Sequence, residues 1–163
     1  MTLGVKFWSS QAGTVSAIRF YRAIASSNGY VASLYSAGGT LLGSATLTSD
    51  SCSLPCREVA NFASPIPISA KTTYIAAYYS SICEGAGDPD ELKNGVTNGP
   101  LTAPASSAVG GNGVYNSKKA FPTSKYEASN FYVDVLFVPT GAVLTSVSPR
   151  LTPLFQTMRP WAR

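Results

Sequence analysis

Residues 130–137 read Asn-Phe-Tyr-Val-Asp-Val-Leu-Phe, and their alternation decides the fold class. In an extended chain successive side chains point to opposite faces, so Phe131, Val133, Val135 and Phe137 share one side while Tyr132 and Asp134 take the other. The same period of two recurs upstream. Leu3, Val5 and Phe7 alternate with Gly4, Lys6 and Trp8; Ile18 and Phe20 oppose Arg19 and Tyr21; segments 30–36, 40–48, 57–62 and 73–80 repeat the pattern. Ser27-Asn28-Gly29, Gly38-Gly39, Pro65 and Pro67 supply turn chemistry between these runs. Many short strands without helical crossovers predict an all-β fold, a single antiparallel β-sandwich of jelly-roll type over residues 1–138 with helix nearly absent. The expected inward set is Val5, Phe7, Ile18, Phe20, Leu34, Leu42, Ile75, Val133, Val135 and Phe137.

Two regions break the rhythm. Residues 84–129 are rich in Gly, Pro, Asn and Ser, and a loop region of that length is usually functional or disordered. Residues 139–163 carry four prolines and the apolar anchors Leu154, Phe155 and Trp161, a composition that marks a separate docking or assembly tail. Within it, GAVLTSV (141–147) reads as a strand able to add to an exposed sheet edge, on a neighbouring copy or on its own sandwich.

Composition narrows the function classes. In 163 residues, 45% are hydrophobic and only 12% charged, about half the usual ~25% of soluble domains. The net charge of +4 overstates the basic character, because Arg150, Arg159 and Arg163 lie in the tail and leave nine basic against eight acidic residues in the body. No concentrated basic footprint of the kind nucleic-acid binding needs is present. No apolar run approaches the roughly 18 residues of a membrane-spanning helix, so no membrane insertion is expected. The first fifteen residues lack a secretory signal, which fits an intracellular protein, or a mature form or excised domain, the reading we favour.

The chain contains no histidine, which removes the commonest general base, the Ser-His and Cys-His pairs and the usual nitrogen ligand of zinc. Of Cys52, Cys56 and Cys83, two are expected to form a disulfide in an exported protein, with the pairing open. The acids Glu58, Glu127 and Asp134 fall on or near strands, but nothing marks two of them as partners for glycoside hydrolysis. Asp134 is expected to face solvent or to pair with Arg19 or Lys125.

Several phrases in family order resemble a bacterial family of domains of unknown function, number 4082. They are LGVKF (3–7), AIRFYR (17–22), SLYSAGGTLLGSATLT (33–48), PIPISAKTTYIAAYYS (65–80), NGPLTA (98–103), GNGVY (111–115) and FPTSKYEASNFYVDVLF (121–137). The resemblance implies a jelly-roll-like sandwich module of secreted, multidomain proteins, an accessory part with no catalytic residue set. Tyr35 and Tyr132 stand where members of that family often carry Trp, and the loop 51–57 replaces a Gly-Trp-Gln-like stretch.

The candidate sites follow from residue chemistry. Trp8, Tyr35, Tyr78 and Tyr132 fall on the solvent-side phase and would form a flat aromatic row for stacking sugar rings or anchoring a protein. Ordinary strand composition accounts for them equally well. Asp88, Asp90 and Glu91 supply hard oxygen ligands for a structural calcium, although the spacing is not that of an EF-hand and a solvated acidic turn explains it too. The expected function is a non-catalytic extracellular or cell-surface module for attachment or self-assembly. Its partners would be other subunits in a homo-oligomer or filament. A carbohydrate-binding module beside an enzyme, with polysaccharide as its partner, is the alternative.

Overall fold

The computed structural model describes residues 1–22, 29–48, 52–82 and 87–141. The larger sheet is antiparallel and runs β10 (Ser124–Lys125), β9 (Val114–Asn116), β1 (Thr2–Ser9), β6 (Tyr74–Ser80), β3 (Tyr30–Ser36) and β4 (Leu41–Leu47). The hairpin of β7 (Val96–Asn98) and β8 (Leu101–Ala103) joins it where β8 pairs with the end of β1. The smaller sheet runs β11 (Val133–Pro139), β2 (Gly13–Arg22) and β5 (Cys56–Ile68), also antiparallel. Repeated crossing between sheets from β1 to β2, β2 to β3, β4 to β5 and β5 to β6 makes the jelly-roll sandwich. Among the described residues, helix is limited to one 3₁₀ turn, Ser106–Val109.

The core lies between the sheets. Val5 and Phe7 of β1, Ala32 and Leu34 of β3, and Ala76 and Tyr78 of β6 meet Ile18 and Phe20 of β2 and Val133, Val135 and Phe137 of β11. Phe20 stacks on Tyr78 with ring centroids 4.4 Å apart. Three expectations require correction here. Leu42 is 37% exposed, because the β3–β4 register slips between Leu34, opposite Gly43, and Tyr35, opposite Leu41. Leu42 is the extra residue of that bulge and turns out of the core phase. Tyr78 is buried in the core, and Ile75, expected inward, takes the other phase of β6, opposite Lys6. The run Tyr74-Ile75-Ala76-Ala77-Tyr78 is apolar on both phases, so alternation alone does not say which face points inward.

Both phases of β6 are buried because the outer face of the larger sheet is covered. Residues 117–122 cross it: the Thr2 hydroxyl donates to the Lys118 carbonyl, the Lys119 ammonium sits 5.6 Å from the Tyr79 ring, and Phe121 packs edge-on against Tyr35. The long Gly/Asn-rich region therefore holds short strands and a cover over the sheet.

Asn112 holds this region in place. Its side chain is fully buried and completes the hydrogen bonding of β1 beyond the end of β9. Oδ1 accepts from the N–H of Lys6 at 2.8 Å and of Gly113 at 2.9 Å, while Nδ2 donates to the carbonyls of Lys6 and Pro104, each at 3.0 Å. Gly113 follows at φ +71°, where any Cβ would collide with the Ser129 carbonyl.

Candidate functional site

The four aromatics expected to form one row lie in different places. Trp8 is half-buried near the end of β1, opposite Thr102; Tyr35 is half-buried against Phe121; Tyr78 is in the core; Tyr132 lies outside the smaller sheet. No single flat platform contains them. Cys83 and the tail anchors Leu154, Phe155 and Trp161 lie outside the described residues. The disulfide joins Cys52 to Cys56 and closes the loop that enters β5.

On the outer face of the smaller sheet the strand register builds a charged and aromatic cluster. β2 sets Arg19 opposite Asp134 of β11, and Tyr21 opposite Arg57 of β5. Arg19 donates to the Asp134 carboxylate at 2.5 Å, and Arg57 approaches the same oxygen at 3.9 Å. Asp134 is on the outward phase as expected, yet it is only 2% exposed because the two guanidinium groups lie over it. Tyr132, at φ +52°, lies just before β11 begins; its side chain is on the outer face, as the alternation predicts, but is only 9% exposed there. Its ring meets Tyr21 edge-on at 6.2 Å, and its hydroxyl donates to Asp88.

Burial, first of all, and then the hydrogen bond to the Asp88 carboxylate push the Tyr132 phenol above its usual range. Burial does the same to Tyr78, helped by Tyr30. Burial and the neighbouring Arg19 lower the Arg57 guanidinium, against the opposing pull of Asp134 and Tyr132. A phenol that is harder to ionise when folded contributes stability that is fully present below the ordinary tyrosine pKa of about 10 and is lost as pH rises above it. Denaturant titrations between pH 8 and 12 are therefore expected to show a plateau and then a decline beginning near pH 10. Tyr132→Phe and Tyr78→Phe should each make that decline shallower.

The acidic turn does not form the expected ligand set. Asp88 forms a backbone bridge with Asn130 and bonds Tyr132, while Asp90 sits at φ +62° in a turn closed by the Lys93 N–H. Among the described residues, the acids and cysteines whose ligand atoms lie within 4.8 Å of one another are Cys52, Cys56 and Glu58, and both sulfurs are in the disulfide. Glu58 faces the interior, where it accepts from Arg22 at 2.6 Å with both side chains essentially unexposed; the Arg22 guanidinium lies 4.7 Å from the Tyr30 ring centroid.

A groove of about 470 Å³ lies between the 3₁₀ turn and the turn after β10, lined by Ser106, Ser107, Gly110, Gly111, Lys125, Glu127 and Ala128. Lys125 donates to the Gly110 carbonyl at 3.2 Å, and Lys6 donates to the Val109 carbonyl at 2.7 Å. Burial, and then the nearby Lys125 charge, lower the Lys6 pKa. Glu127 and Ala128 both hold positive φ, at 44° and 48°; their carbonyls accept from the N–H groups of Asp90 and Leu92. Sequence reasoning noticed Glu127 only as an acid near a strand. Glycines at 110, 111 and 113 around Asn112 are the one local signal that this segment makes close backbone turns.

Residues 1–133 match the family described as Domain of unknown function (DUF4082), and the chain belongs to it. No curated protein and no solved structure matches the chain.

Proposed function

We propose that this DUF4082 domain is a non-catalytic extracellular module that acts in surface attachment or self-assembly, with a second copy of the chain as its partner. The observation that carries the reading is the edge strand β4. Among the described residues it pairs only with β3, its sequence Leu-Leu-Gly-Ser-Ala-Thr-Leu has no charge or proline, and it exposes Leu41 at 53% and Leu42 at 37%. Such an edge is a template for main-chain pairing with another strand, which monomeric proteins normally block with Lys, Pro or a bulge. Here a bulge sits at one end only, between Leu34 and Tyr35 of the partner strand. The uncharged stretch 141–147 is a fitting donor for that edge.

The disulfide supports an oxidising, extracellular setting. The non-catalytic assignment is supported by the lack of histidine and by the engagement of the buried acids Asp134 with Arg19 and Glu58 with Arg22, and of the half-buried Asp88 with Tyr132. Sedimentation velocity over a hundredfold concentration range tests the proposal. The wild type is expected to associate with rising concentration, and Leu41→Lys with Leu42→Lys to weaken association by tenfold or more. A wild type that stays monomeric throughout overturns it.

A second reading, a carbohydrate-binding module accessory to an enzyme, is favoured by the groove beside the 3₁₀ turn, whose lining offers hydroxyl, ammonium and carboxylate groups. Neither reading uses the expected calcium ligands.

A further inference from the structure

We infer that the groove between Ser106–Gly111 and Lys125–Ala128 is a binding site for a neutral pyranose unit, an inference that rests on the carbohydrate-binding reading. The volume of about 470 Å³ lies within the range of small-molecule sites, roughly 300–1,000 Å³. Its chemistry narrows the ligand. The lining sets one ammonium, Lys125, against one carboxylate, Glu127, with the hydroxyls of Ser106 and Ser107 between them in composition. A charged ligand would meet one like charge for every opposite one. A sugar ring uses both, because its hydroxyls donate to the carboxylate and accept from the ammonium, and charge-assisted hydrogen bonds are roughly twice as strong as neutral ones.

The groove is also held in shape before any ligand arrives. Lys125 is fixed on the Gly110 carbonyl and its alkyl stem packs against Gly111, which leaves no space there for a Cβ. The Ser106 hydroxyl accepts from the Asn112 N–H at 3.0 Å, which leaves its own proton for a ligand oxygen. Two consecutive non-glycine residues at positive φ, Glu127 and Ala128, form the opposite wall. Such backbone strain clusters where a binding geometry is fixed in advance.

The test is a titration of the full chain, followed by NMR chemical shifts and calorimetry. The probes are the hexaoses of cellulose, xylan, mannan and β-1,3-glucan, with hexagalacturonate and chitosan hexamer as charged comparators. Saturable binding of at least one neutral hexaose is expected, with shifts confined to residues around 106–111 and 125–128. Affinity should fall at least tenfold in Glu127→Gln and in Lys125→Met, which keeps the stem on Gly111. Circular dichroism of each variant confirms that it is folded. Hexaose binding that both variants retain overturns the groove while leaving the carbohydrate reading standing. Absence of binding by every neutral hexaose overturns both. Tighter binding of either charged comparator overturns the neutral-ligand assignment.

Discussion

Replacing Asn112 with alanine is expected to destabilise the fold by at least about 3 kcal/mol. Four backbone groups lose the partner that the fully buried Asn112 side chain gives them: the N–H and C=O of Lys6, which are partly buried, and the N–H of Gly113 and the C=O of Pro104, which are buried. Each orphaned group costs roughly 1–3 kcal/mol, less whatever water entering the new space restores. Asn112→Asp should be no milder, since a carboxylate would still accept from the two N–H groups but would turn an oxygen toward the two carbonyls that Nδ2 now serves. Denaturant unfolding of both variants measures the loss, and a change below 1 kcal/mol in Asn112→Ala would refute the account. Hydrogen exchange should quicken first at residues 104–113, because this side chain ties that stretch to β1.

The importance of Asn112 was not legible in the sequence. Period-two alternation identifies β1, β2, β3, β6 and the body of β11 as strands, and it gives the inward phase in β1, β2, β3 and β11, but not in β6, where both phases are apolar. A single asparagine between glycines has no period. It reads as a turn, and only the fold reveals that its amide substitutes for a missing strand neighbour. The same limit explains the aromatics. Tyr78 and Tyr79 follow two alanines, so neither phase of β6 is visibly the outer one; in the fold Tyr78 enters the core, while Tyr79 is half-buried with Lys119 of the covering segment against its ring. Tyr132 precedes its strand at positive φ and keeps the outer face that the alternation predicts, but is only 9% exposed there. The charges were half legible: Asp134 with Arg19 was one of two expected pairings, whereas Arg22 with Glu58 depends on the β2–β5 register, which no local pattern contains.

Glu58→Ala is the second substitution with a large expected effect, about 3–5 kcal/mol, the usual cost of breaking a buried ion pair by removing one partner. It would leave the Arg22 guanidinium, 1% exposed, in the interior beside Tyr30. Replacing both partners tests the cause. Arg22→Met with Glu58→Leu removes the two charges together and should recover most of the lost stability, since apolar replacements of buried pairs are often neutral or better. Denaturant midpoints and slopes of the three variants decide it. A double variant as unstable as Glu58→Ala would show that packing, not the stranded charge, is responsible.

The proposed assembly requires the uncharged β4 edge, closed on its inner side by β3, to be the surface where copies meet. Ile66 of β5 leans over Gly43, where a Cβ would collide with it, so the inner face of β4 packs closely against the smaller sheet. Amide hydrogen exchange of the full chain at low and high protein concentration tests this directly. Protection across Leu41–Leu47 is expected to rise severalfold with concentration while the core strands β1 and β6 remain unchanged. Exchange in β4 that is independent of concentration, in samples shown by sedimentation to be associated, would contradict the account.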